Sequence, residues 1–81
     1  MLMREARDVM LETLVAFADE SLTMSAIDAM NLALTDDGMM IDLFYALYGQ
    51  EMIRADRINF RATLRELIDH AGNADDDMYN D

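Results

Sequence analysis

An all-α fold is the expectation for this chain, and three observations carry it. The sequence has no proline, and its three glycines, Gly38, Gly49 and Gly72, stand at the edges of apolar runs, where helices begin or end. The apolar residues between them recur at three- and four-residue intervals, the period of one helical face. Hydrophobic residues make up 53% of the chain, enough for a core and unlike the balance of a disordered polypeptide. No alternating strand pattern or internal repeat competes with a small bundle of about four helices.

The first helix is expected from about Met3 to Asp19, where Met3, Ala6, Met10, Leu14 and Phe17 line one face and Glu5, Asp8 and Glu12 share another. "ESLTMSAID" reads as a turn and a new start. Ser25 and Asp28 are spaced as a capping box, with Ile27, Met30 and Leu34 as the buried stripe of a short second helix. Thr35 or Asp36 is placed to cap a third helix, which Gly49 closes in the left-handed conformation. The last helix starts at Gln50 or at Asp56, depending on a break near Ala55. It runs to Ala71 with Phe60, Leu64, Leu67, Ile68 and Ala71 inward, and Gly72 ends it. Residues 1–71 thus form a single helical domain, and residues 72–81, "GNADDDMYND", form a disordered acidic tail.

Eighty-one residues make one domain whose stability is marginal unless packing or a partner chain helps. Disulfides are excluded because there is no cysteine, and no His/Asp/Glu cluster has the spacing of a structural metal site. "MLMREARDVM" is too charged for a secretory signal, and no window is apolar enough for a membrane span, so a cytoplasmic location is expected. Seventeen acidic residues against six basic ones, a net charge of −11, oppose direct binding to nucleic acid or anionic membranes.

The basic residues are all arginine, and four of them, Arg54, Arg57, Arg61 and Arg65, fall within "RADRINFRATLR", giving a local charge of +3 with Asp56. At about 100° per residue they form one helical stripe. Like charges at i,i+4 repel, so something negative is expected opposite: Glu5, Asp8 and Glu12, the acids of a dimer mate, or a phosphate-bearing or acidic partner that the guanidinium forks would grip. The acids Glu5, Asp8, Glu12, Asp19, Glu20, Asp28, Asp36 and Asp37 either keep the chain soluble or imitate a phosphate backbone toward a basic protein.

Nine methionines are many for this length. Met10 and Met30 fit a core, whereas Met39 and Met40, beside Leu43, Phe44, Tyr45 and Tyr48, are expected to form a hydrophobic interface. Between Met39 and Tyr48 the one charge is Asp42, and a helix apolar nearly all round is buried centrally or against another molecule. "TDDGMM" fails as a calcium loop: with Gly38 at position six, positions one and twelve fall on Ala33 and Phe44, neither an oxygen ligand. There is no cysteine nucleophile, no lysine and no glycine-rich phosphate loop, and the single histidine, His70, is placed to favour a helix C-terminus. No catalytic, cofactor-binding or metal-binding residues are expected, and the chain is not expected to be an enzyme.

What remains is a protein that acts by binding another protein. The leading expectation is a stoichiometric inhibitor whose acidic face occupies a basic, nucleic-acid-handling site. In that general character the chain is similar to small acidic phage-encoded blockers of host defence, anti-CRISPR proteins among them. Two alternatives are an assembly or secretion chaperone or adaptor subunit that covers a client with the Met-rich helix, and a regulatory homodimer with the arginine stripe on the mate's acidic helix.

Overall fold

Side-chain caps set the helix starts, and a computed structural model shows where each falls. It describes the backbone of residues 6–79 and the side chains of residues 6–72. Among the described residues there are four α-helices and no strand: α1 (Ala6–Phe17), α2 (Ala26–Ala33), α3 (Asp37–Tyr48) and α4 (Asp56–Tyr79). Met3 and Glu5, assigned to the first helix from the sequence, lie outside the described residues.

Ser25 caps α2, its Oγ accepting the Asp28 N–H at 3.1 Å, which is one half of the expected capping box. Of the two candidates before α3, Asp36 is the cap: its Oδ1 accepts the Gly38 N–H at 3.2 Å. Gly49 ends α3 with φ of 68°, and its N–H donates to the Tyr45 carbonyl at 2.8 Å. The alternative at the start of α4 resolves to Asp56. Its Oδ2 reaches back to the Ile53 N–H at 3.1 Å, while Asp56 and Arg57 N–H bond to the Ile53 and Arg54 carbonyls in a tight first turn.

Two features depart from the sequence expectation. The chain after α1 continues as one wide π-helical turn, Ala18–Leu22, and leaves it through Thr23 at φ of 55°. No glycine marks that exit, so the sequence carries no sign of a left-handed residue there. At the other end, Gly72 does not stop α4, whose backbone stays helical to Tyr79. Gly72 is not among the described residues with positive φ. Of the expected disordered tail, residues 72–81, the side chains of 73–81 and the backbone of 80–81 lie outside the described residues.

The core is continuous across all four helices. Leu14, Met30, Met40, Leu43, Leu64 and Leu67 are fully enclosed, with Ala18, Ala29, Ala33 and Phe60 between them. Fully burying a leucine or methionine contributes about 1.5–3 kcal/mol, so these six side chains dominate the stability. The alanines of α2, at positions 26, 29 and 33, keep that short helix thin and let α3 and α4 approach it from two sides. Phe44 and Phe60 meet edge to face with ring centroids 5.1 Å apart, joining α3 to α4. Among the described residues no charged or polar side chain is buried.

Candidate functional site

The arginine stripe divides in two. Arg57 forms an ion pair with Asp37 in the first turn of α3. Arg61 turns inward, and its Nη1 donates to the Leu34 carbonyl at 2.7 Å. The last carbonyls of α2 have no partner within that helix, so a guanidinium there satisfies one of them and complements the negative helix end. The expected partners on α1 are therefore not the ones used by these two arginines. The reason is geometric: the turn between α2 and α3 lies under this part of α4, and it supplies its own acid and carbonyl. Arg54 and Arg65 point outward, exposed, with no hydrogen-bond or ion-pair partner among the described residues.

The acids divide as well. Asp36 is engaged as a helix cap and Asp37 by Arg57. Asp28 and Glu20 are exposed at the start of α2 and on the π turn. Asp8 accepts a hydrogen bond from His70 Nε2 at 2.6 Å, tying α1 to α4. His70 was expected to sit at a helix end, but α4 continues past it and its partner is this carboxylate. Glu5 lies outside the described residues.

Asp8 and Glu12 on α1 and Asp19 on the π turn that follows it together rim a groove of about 780 Å³ between α1, the entry to α2 and Ala71 of α4. Its floor is apolar: Leu11, Val15, Met24 and Ile27. Leu11, Val15 and Met24 were not singled out from the sequence, and Ile27 was expected in the buried stripe of α2. A signal for the floor is present nonetheless, because Leu11 and Val15 form an i,i+4 pair turned away from Met10, Leu14 and Phe17, and acids stand on the adjoining side. Val15 is 52% exposed, while Leu11, Met24 and Ile27 are half-buried against the core.

Of the hydrophobic interface expected on α3, three residues are core and two are exposed. Met40, Leu43 and Phe44 face inward as part of the core, and Met39 is half-buried against it. Both α1 and α2 pack on α3, and α4 reaches it through Phe60, so the inner side of α3 is covered by its own chain while Ile41, 45% exposed, stays on the outer side. Tyr45 and Tyr48 remain exposed, Tyr48 with its ring 4.6 Å from that of Phe44. Among the described residues no group of His, Asp and Glu is placed to hold a metal ion, and no helix is long and apolar enough to cross a membrane.

No protein-family model, curated protein or solved structure matches this chain. The functional reading rests on the geometry above.

Proposed function

We propose that the chain is a stoichiometric protein-binding inhibitor, acting in the cytoplasm, that seats the acidic side of α1 on a basic, nucleic-acid-handling surface of its target. The observation that carries this reading is the alignment of Asp8, Glu12 and Asp19 along one rim of an open groove. Along the helix, Asp8 and Glu12 are separated by a rise of about 6 Å, close to every second phosphate of one DNA strand at about 3.4 Å of axis each. The net charge of −11 adds long-range attraction to a basic partner and repulsion of nucleic acid itself. Such attraction speeds encounter and fades with salt.

The test uses the chain as bait. Proteins captured from a lysate at low salt should be displaced by a short DNA duplex, because duplex and bait compete for one basic site. A triple variant, Asp8→Asn, Glu12→Gln and Asp19→Asn, should capture none of them, while Asp28→Asn captures as before. Capture that is indifferent to both the duplex and the triple variant overturns the reading.

A further inference from the structure

The outer face of α4 carries charge opposite to that of the groove beside α1. Ile58 is the most exposed large hydrophobic side chain among the described residues, at 82%. It stands between Arg54 and Arg65, two exposed arginines with no hydrogen-bond or ion-pair partner among the described residues. Within one molecule the two surfaces do not meet. The groove touches α4 at Ala71, and Ile58 lies about 20 Å back along the helix at 1.5 Å per residue.

The residue spacings match when the helices run antiparallel. From Asp19 back through Val15 and Glu12 to Asp8 the steps are four, three and four residues. From Arg54 forward through Ile58 and Arg61 to Arg65 they are again four, three and four. Laid antiparallel, Val15 faces Ile58 and Asp8, which also holds His70, faces Arg65, with Arg61 held inward on the Leu34 carbonyl; Asp19 on the π turn and Arg54 in the turn before α4 fall together at one end of the register. In a parallel arrangement Ile58 would face Glu12 and Val15 would face Arg61, burying each apolar side chain against a charged one. The antiparallel register therefore places apolar on apolar and acid on base, which is how charged flanks select a helix partner and its direction.

We propose that the groove on α1 is filled by the outer face of α4, with the turn that leads into it, from a second copy of this chain, in antiparallel register, with Ile58 on Val15 and Arg54 and Arg65 on Asp19 and Asp8. The contact does not depend on a foreign target. It covers the same carboxylates that the proposed inhibitor surface presents, so self-association and target binding exclude each other on this face. If the contact is reciprocal it closes a dimer, and if it repeats head to tail it builds longer chains.

Sedimentation equilibrium of the full chain at physiological salt, from micromolar to millimolar concentration, tests this directly. The mass should rise with concentration from one chain to two or more. Arg54→Glu with Arg65→Glu, and separately Ile58→Asp, should each weaken the association about a hundredfold or more. All three positions are exposed, so circular dichroism of both variants should match the parent. Mixing Arg54→Glu/Arg65→Glu with Asp8→Arg/Asp19→Arg should restore a mixed assembly that neither variant forms alone. A single-chain mass at every concentration overturns the proposal, and so does an assembly indifferent to these substitutions. Neither result bears on capture of a basic target by α1, which is read in a separate assay.

Discussion

The two sides of the bundle are built differently. Where α2, α3 and α4 meet, apolar contact and polar ties coincide: Leu43 and Phe44 are enclosed, Phe60 packs edge to face on Phe44, Arg57 pairs with Asp37, and Arg61 bonds to the end of α2. Where α1 runs past the entry to α2, the apolar side chains Leu11, Val15, Met24 and Ile27 line an open groove, and the tie across to α4 is His70 on Asp8. The more apolar helix lies on the closed side and the more charged helix borders the open one. Apolar content alone therefore does not locate an unsatisfied surface. What matters is whether neighbouring elements of the same chain reach that face.

The sharpest way to break this contrast is truncation in each half. Leu43→Ala should cost about 2–5 kcal/mol, because a fully enclosed leucine leaves a cavity that its neighbours only partly fill. Val15→Ala on the open side should change stability by less than about 0.5 kcal/mol, as at other exposed positions. Chemical denaturation of the two variants measures both. Comparable losses would mean that the groove is closed in solution.

A second contrast sits within the arginine stripe. Arg61→Met keeps most of the aliphatic packing and removes the bond to the Leu34 carbonyl, and it should cost about 1–2 kcal/mol. Arg65→Met removes an exposed guanidinium and should stay within about 0.5 kcal/mol. Asp37→Asn falls between these, at no more than about 0.5–1 kcal/mol, since its ion pair with Arg57 is largely solvated. Thermal melts of dilute protein rank the three.

Much of this fold is legible from local chemistry. Ser25, Asp36 and Gly49 mark their helix ends because capping needs only residues next to the end. The inner stripe of α4, Phe60, Leu64 and Leu67, follows from periodicity alone. The site is less legible because its pairings are long-range. Arg57 finds Asp37 across twenty residues, and His70 finds Asp8 across sixty-two. Both depend on how helices cross, which no local pattern encodes. The same limit governs α3: a helix apolar nearly all round does not say which side is inward, and the packing of α1, α2 and Phe60 selects Met40, Leu43 and Phe44 and leaves Ile41, Tyr45 and Tyr48 outward. The acids and arginines were identifiable as residues, but their division into engaged and outward-facing sets required the packing.

A pair of effects opposite in sign comes from the two left-handed positions among the described residues, one on each side. Gly49 closes α3 at φ of 68°, where a β-carbon is unfavourable, and Gly49→Ala should cost about 1 kcal/mol. Thr23 holds φ of 55° at the exit of the π turn beside the groove, and it is β-branched, the side-chain type least suited to that region. Thr23→Gly removes a left-handed penalty of about 1–2 kcal/mol. The substitution also frees the unfolded chain, which returns about 0.5–1 kcal/mol of that gain. The hydroxyl bond to the Leu22 carbonyl that is lost is exposed, so water replaces it at little cost. The net expectation is a stabilisation of about 0.5–1 kcal/mol, opposite in sign to the change at Gly49. A loss of stability in Thr23→Gly would place the Thr23 side chain in a contact that offsets its backbone strain, and the groove edge formed by Met24 and Ser25 would then be held more rigidly than the closed and open halves described above imply.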